Sequence, residues 1–228
     1  MKMADMERIR TGIPGLDEMM NGGLPFPSTV LVAGDTGTGK TTFCMQFLFE
    51  GARAGEQGLY FTTFSEPPEW LLKFMSNYAF VDLKCFGREI RYVDLSYAME
   101  AGQDMDQILK TIESDITSFK PKRIVIDPIS VFEDILGEDY RRFLFRFATF
   151  TKNWQTATIV TGEAKPGAPY PTDLAYIADG VIILYNTEVD RMRKRSLEIL
   201  KMRGTPHTTG KHAVDISTEK GFVVHPGL

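Results

Sequence analysis

The stretch from Ser28 to Phe43 reads STVLVAGDTGTGKTTF, and it decides the fold of this chain. Its first half is a continuous apolar run that predicts a buried strand, and the part from Lys40 onward has the pattern of a helix. Between the two, Gly34 to Thr41 fits G-x-x-x-x-G-K-[ST] at every defined position. A strand, a glycine-rich loop and a helix in this order form the context that a phosphate-binding P-loop requires.

The residue types in this loop match what phosphate binding needs. Glycines let backbone N–H groups turn towards phosphate oxygens, and the start of the helix adds partial positive charge. Lys40 is expected to reach the β- and γ-phosphates of a nucleotide, and the Thr41 hydroxyl is expected to ligate Mg²⁺. The alternative is a glycine-rich turn that matches by chance, and the flanking strand and helix disfavour it. The predicted nucleotide-binding set is Gly34, Thr36, Gly37, Thr38, Gly39, Lys40, Thr41 and Thr42.

Three acidic residues follow other apolar runs. Asp127 ends the run RIVID and is predicted to hold Mg²⁺ through a water molecule; the alternative is an aspartate that caps the next turn. Glu66, in FTTFSEPPEW, is the first candidate for the catalytic residue that orients the attacking water, with a helix N-terminal carboxylate as the alternative. Glu163, after TATIVTG, is the weaker candidate for the same role.

Apolar runs alternate with helical patterns along the rest of the chain. This alternation predicts an α/β fold with a mostly parallel sheet that helices cover on both faces. The segments SLEILKMRG and GFVVHP near the end predict two more strands, which we expect to be antiparallel at the sheet edge. No linker or internal repeat divides the sequence, so we expect one domain over residues 1–228.

Composition and charge argue against some classes of protein. The net charge of −4 argues against binding nucleic acid through bulk charge. No run approaches the roughly 20 apolar residues of a membrane span, and MKMADMERIR does not resemble a signal peptide, so we expect a cytoplasmic protein. The basic cluster Asp190–Ser196 is interpreted as a solvated hairpin turn, with nucleic acid or an acidic partner as the alternative.

A pair of cations stands in ILKMRGTPH, which runs from Ile199 to His207. Lys201 and Arg203 are two residues apart, so an extended strand would place both on one face. One interpretation is an edge strand that lysine protects from pairing. The other is that the cations serve the phosphate site of a second subunit, because the chain already has Lys40 and Asp127 for its own site. In that case we expect them to have no partner within their own subunit.

Three segments together resemble KaiC-like ATPases of the RecA superfamily: RIRTGIPGLDEMMNGGLPFPSTVLVAGDTGTGKTTF, FTTFSE and LEILKMRGTPH. The resemblance extends from Arg10 to the end of the chain. It implies a RecA-type P-loop NTPase fold, and a hexameric ring of identical subunits with ATP and Mg²⁺ at each interface. Lys201 and Arg203 would contact the γ-phosphate bound by the neighbouring subunit. The resemblance also places five residues near nucleotide: Met202, Thr205 and His207 beside the neighbour's nucleotide and, more loosely aligned, Asn77 and Ser217 near the nucleoside.

The chain departs from the family pattern at two places. Ser65 stands where the family commonly has the first of two adjacent glutamates, and a serine is a poor general base at neutral pH. We therefore predict ATP binding with slow hydrolysis. Ala175 and Tyr176 occupy the positions of the phosphorylated Ser-Thr pair in the clock protein, so autophosphorylation is not expected there.

These observations predict a slow Mg²⁺-dependent ring ATPase that acts in regulation with a protein partner of unknown identity. Two alternatives stay open. Ser65 favours a non-hydrolysing, ATP-binding regulatory subunit of a larger machine, of the archaeal motility type. A recombinase-like, DNA-dependent ATPase is the other, and the acidic charge and the proline-rich segment EAKPGAPYPTD count against it.

Overall fold

The computed structural model describes residues 6–64, 67–97, 101–102, 104–164 and 170–227. The strands are β1 (Arg8–Ile9), β2 (Leu24–Pro25), β3 (Ser28–Gly34), β4 (Gly58–Thr62), β5 (Ile90–Asp94), β6 (Arg123–Asp127), β7 (Ala157–Gly162), β8 (Gly180–Val189), β9 (Met192–Met202), β10 (Lys211–Ser217) and β11 (Gly221–His225). The α-helices are α1 (Leu16–Met19), α2 (Lys40–Arg53), α3 (Pro68–Met75), α4 (Met105–Phe119), α5 (Val131–Leu136), α6 (Tyr140–Asn153) and α7 (Thr172–Ile177). None of the helices in the described ranges is long and apolar enough to cross a membrane.

The central sheet has the strand order β11-β10-β9-β8-β3-β7-β6-β4-β5 across the described residues. The strands from β8 to β5 in this order pair in parallel, while β8, β9, β10 and β11 pair with one another in antiparallel hairpins. The predicted parallel sheet with antiparallel C-terminal strands is confirmed. Strand β10, which lies between the two predicted C-terminal strands, was not predicted from the sequence.

The central strands are apolar because both of their faces are covered. Every residue of β3 is buried, and its side chains alternate between two apolar cores. Val30 and Val32 pack in the core that contains Phe43 of α2, whereas Leu31 and Ala33 pack in the core on the other face, with residues of α4 and α6. A continuous apolar run is therefore what a doubly covered parallel strand requires.

The β8–β9 hairpin turns at Asp190 and Arg191, which both have positive φ, 51° and 64°. Val189 and Met192 pair directly across this turn. The turn predicted for the basic cluster Asp190–Ser196 is present, but it is shorter than the cluster. The remaining cluster residues belong to β9, because that strand already begins at Met192.

Candidate functional site

The P-loop connects the end of β3 at Gly34 to the start of α2 at Lys40. Gly37 and Gly39 have φ values of 77° and 99°, which L side chains rarely adopt. A Cβ atom at Gly39 would also lie 2.5 Å from Cδ1 of Ile216, and one at Gly34 would lie 2.5 Å from the carbonyl oxygen of Leu184. Glycine is thus required here by both backbone conformation and space.

Lys40 lies back over its own loop. Its Nζ donates hydrogen bonds to the carbonyl oxygens of Gly34, at 2.8 Å, and Asp35, at 3.1 Å. The buried Thr38 hydroxyl donates to the same Asp35 oxygen over 2.8 Å. The ammonium group is therefore held at the loop by two carbonyl oxygens, a position from which it can interact with an anion in the cavity beside it.

Asp127 ends β6 and is only 6% exposed. Its Oδ2 accepts hydrogen bonds from the Thr41 hydroxyl and the Tyr60 hydroxyl, each over 2.8 Å. Its Oδ1 accepts a short hydrogen bond from the Thr161 hydroxyl. Burial, with a further contribution from the charge of Asp127, raises the pKa of Tyr60 well above its ordinary value, so this hydroxyl stays protonated and donates.

Thr41 and Asp127 were predicted from the sequence, whereas Tyr60 and Thr161 were not. Tyr60 lies on β4 and Thr161 on β7, and both strands pair with β6. Each residue lies within two positions of its strand's carboxyl end, where parallel strands of such a sheet present their functional groups. That position is a usable signal only when the strand order is known.

A cavity of about 280 Å³ opens in front of the P-loop. Phe64, Asp127, Pro128 and Glu163 complete its wall, and Glu163 is exposed. The geometry thus brings Glu163 to the site. Glu66 and Ser65 lie outside the described residues.

The polar groups at the cavity suit a hard divalent cation. Mg²⁺ prefers oxygen ligands, and it is commonly held by one or two protein oxygens together with substrate phosphates and water. The Thr41 hydroxyl and the Asp127 carboxylate, already hydrogen-bonded to each other, supply such oxygens beside the P-loop. The residues present therefore fit a Mg²⁺–nucleotide complex.

Lys201 and Arg203 have partners in their own subunit, so the expectation that they have none is wrong. Nζ of Lys201 donates to the carbonyl oxygens of Ala178, at 2.6 Å, and Ala175, at 3.2 Å. These carbonyls lie at the C-terminal end of α7, where a helix leaves acceptors unpaired. Nη1 of Arg203 lies 3.3 Å from Oδ1 of Asp179. Burial, and then the charge of Arg203, lowers the pKa of Lys201.

The register of the sheet separates these cations from the P-loop of the same chain. Met202 pairs with Gly180, and Gly180 pairs with Val30 near the start of β3, four residues before Gly34. At about 3.3 Å per residue, this places the pair about 13 Å back along the strand from the P-loop. Arg203 instead lines a separate surface groove with Phe145 and Tyr176.

The other residues named from the family resemblance differ in burial. Met202 and Thr205 are buried, and the Thr205 hydroxyl accepts a hydrogen bond from Arg8, so these side chains face their own subunit. Nδ1 of His207 lies 3.2 Å from the Thr205 carbonyl oxygen. Asn77 and Ser217 are exposed, and the segments that carry them meet through a hydrogen bond from Ala79 to Thr218.

Comparison with known families identifies the fold that carries this site. The family model described as KaiC ATPase matches residues 9–228. This chain belongs to the KaiC ATPase family. A KaiC-like protein from the archaeon Pyrococcus horikoshii OT3 has a similar solved structure, with a TM-score of 0.85 and 34% sequence identity over 97% of this chain and 100% of that one. The RecA-type fold predicted from the KaiC resemblance is therefore confirmed.

KaiC relatives differ from this chain in length. The circadian clock protein KaiC3 of Synechocystis is 33% identical over 97% of this chain but only 46% of its own length. The chain thus spans a little under half of that clock protein. The UPF0273 protein of Thermotoga maritima is 29% identical over 97% of both chains. This chain is therefore also similar to a protein of nearly its own length.

Proposed function

We propose that this KaiC-family chain acts as one ATPase domain that binds ATP and Mg²⁺ at its P-loop and hydrolyses ATP slowly between the subunits of a homo-oligomeric ring. The observation that carries the proposal is the hydrogen bond between Thr41 and Asp127 at the wall of the P-loop cavity. It joins a potential metal ligand on α2, which begins at the P-loop, to a buried carboxylate at the end of β6.

Within one subunit, the chain's own residues bind and orient the nucleotide. Backbone N–H groups of the loop from Gly34 to Thr41 bind phosphate oxygens, and Lys40 exchanges its two carbonyl partners for phosphate oxygens. Thr41 ligates the metal, and Asp127 holds one of the metal's water molecules. Mg²⁺, when bound, neutralises charge on the phosphates and favours attack at phosphorus.

The attacking water needs a base or an orienting group. Glu66 is our first candidate, from its position after β4, and Glu163 is the second, since it lines the cavity. Ser65 removes the first glutamate of the family's usual pair, and the loss of one oriented base costs about 10²–10⁴-fold in rate. We therefore expect slow hydrolysis. A slow ATPase is better suited to a regulatory role that depends on bound ATP than to a metabolic role.

The second half of the site comes from a neighbouring subunit. Lys201 and Arg203 lie about 13 Å along the sheet from their own P-loop, so they can act on phosphates only when another subunit presents its P-loop to them. Such a contact joins two different surfaces, and a head-to-tail contact of this kind generates a ring when its rotation closes on itself. The family resemblance suggests six subunits. The side chains of Met202 and Thr205 are buried, so His207, which is only half-buried, is the member of this set that we propose to face the neighbour's nucleotide.

One alternative function has an observation in its favour. Ser65 is compatible with a subunit that binds ATP without hydrolysing it and regulates a partner through its bound state. Phosphate release from the wild-type protein separates the two functions, because the non-hydrolysing subunit would bind a fluorescent ATP analogue but release no phosphate.

Lys40→Ala tests the binding site itself. We expect the wild-type protein to bind a fluorescent ATP analogue with Mg²⁺, and the variant to lose at least tenfold in affinity because a charge-assisted contact to phosphate is removed. Lys122→Ala is a matched control, since that lysine precedes β6 at the end of the strand away from Asp127 and pairs with Glu7 and Glu56. Equal affinity in wild type and Lys40→Ala would refute nucleotide binding at the P-loop.

A further inference from the structure

We infer that Tyr60 is a positioning residue whose hydroxyl fixes the Asp127 carboxylate for the metal at the P-loop. This inference rests on the proposed function, since it concerns the same site. It adds a residue to which neither the P-loop pattern nor the KaiC resemblance assigns a role. Asp127 accepts three hydrogen bonds from described residues, and Tyr60 is one of the donors.

Hydroxyl groups of the protein occupy most of the hydrogen-bond acceptor positions of the Asp127 carboxylate. A carboxylate offers about four lone-pair positions, and hydroxyl donors from Thr41, Tyr60 and Thr161 occupy three of them. Asp127 lines the cavity in front of the P-loop. The remaining lone pair is the acceptor available to a metal-bound water.

The two donors to Oδ2 differ in how firmly they are placed. The Thr41 hydroxyl is itself the proposed metal ligand, so its oxygen must also serve the cation. Tyr60 has no such second task, and it is 3% exposed. Its ring stacks on that of Tyr92, with centroids 5.6 Å apart and planes 13° from parallel. The Tyr60 hydroxyl is therefore the donor that can hold Oδ2 in the same place with or without the metal.

Groups that orient metal ligands have measurable effects on metal binding. Mutation of such outer partners costs about 10–100-fold in metal affinity or activity. Tyr60→Phe keeps the ring, its volume and its stacking, and removes only the oxygen atom. Asp127 then keeps its charge but has Thr41 as its single donor to Oδ2.

Magnesium titration of nucleotide binding tests this role. The wild-type protein, Tyr60→Phe and Tyr140→Phe are each titrated with Mg²⁺ at a fixed concentration of a fluorescent ATP analogue, and each is also measured in EDTA. We expect Tyr60→Phe to need about tenfold more Mg²⁺ for half-maximal binding, with unchanged affinity in EDTA. Tyr140→Phe is the matched control, because that hydroxyl is buried and has no hydrogen-bond partner among the described residues.

The outcomes of this titration distinguish a role in the metal site from a role in the fold. If Tyr60→Phe and the wild-type protein have the same Mg²⁺ dependence, the inference is overturned while nucleotide binding stands. If Tyr60→Phe loses affinity equally in EDTA and in Mg²⁺, Tyr60 supports the fold and not the metal site, and the inference is again overturned. A wild-type protein that binds no nucleotide under either condition overturns the proposed function, and the inference with it.

Discussion

Arg203 and Asp179 form an ion pair at the amino-terminal end of β8, the end of the strand away from the P-loop, with Nη1 of Arg203 3.3 Å from Oδ1 of Asp179. The same carboxylate oxygen accepts a hydrogen bond from Lys152 at 2.9 Å, and Oδ2 accepts one from the backbone N–H of Thr29 at 3.0 Å. Asp179 is 8% exposed. Arg203, which we propose to act on a neighbouring subunit, thus contacts a buried carboxylate of the same chain.

Asp179→Asn tests how much this carboxylate contributes to the stability of the fold. Asparagine can still accept from Thr29, but it loses the charge that Lys152 and Arg203 contact. Because hydrogen bonds to charged groups contribute about 1.5–3 kcal/mol and both cations are partly exposed, we expect a loss of about 1–2 kcal/mol in the free energy of unfolding. Urea denaturation measures it.

Asp215→Asn is the control for this substitution, since Asp215 is exposed and pairs with the exposed His225. Its unfolding free energy should stay within about 0.5 kcal/mol of wild type. An Asp179→Asn variant as stable as Asp215→Asn would show that Asp179 contributes no more to stability than an exposed side-chain contact does.

Asp17 makes stability depend on pH. Its Oδ1 accepts hydrogen bonds from the backbone N–H and the hydroxyl of Thr11, at 2.8 and 2.7 Å. Burial raises the pKa of Asp17 above 3.8, although these bonds oppose the shift. The folded state therefore binds this proton more tightly than the unfolded chain does. Asp17 should lower the unfolding free energy as pH rises from 3.8 through the raised folded pKa.

Melting temperatures of wild type and Asp17→Asn across this pH range isolate the contribution. Asparagine does not titrate, so the difference in melting temperature between variant and wild type should shift in favour of the variant as pH rises. A difference that stays constant with pH, or shifts towards wild type, would contradict the assignment.

Local pattern was enough to predict much of this site. The P-loop, Thr41 and Asp127 follow from a strand, a loop and a helix that are contiguous in sequence, and the apolar runs indicate the parallel strands. Tyr60 and Thr161 could not be found in this way, because their contact with Asp127 depends on β4 and β7 lying beside β6. Strand order is a tertiary property that no local pattern contains.

The C-terminal part shows a second limit. In β10 the inward positions are His212, Val214 and Ile216, and a buried histidine weakens the alternation of apolar and polar residues that marks a strand. The partners of Lys201 could not be predicted either, because they are backbone carbonyls at the end of α7. A sequence pattern shows that a cation is present but not which carbonyl oxygens lie beside it.

We propose that each active site combines Lys40 of one subunit with Arg203 of another. Lys40→Ala and Arg203→Ala should each release phosphate far more slowly than wild type, while Arg203→Ala keeps the wild-type affinity for ATP as a monomer. In a mixed ring, a site is intact when an Arg203→Ala subunit supplies Lys40 and a Lys40→Ala subunit supplies Arg203.

Phosphate release by the two variants, co-expressed in equal amounts, tests this claim most directly. Random assembly through a head-to-tail interface leaves about one quarter of the sites intact, so we expect about one quarter of the wild-type rate. A co-assembled mixture no faster than the average of the two separate variants would contradict a site shared between subunits.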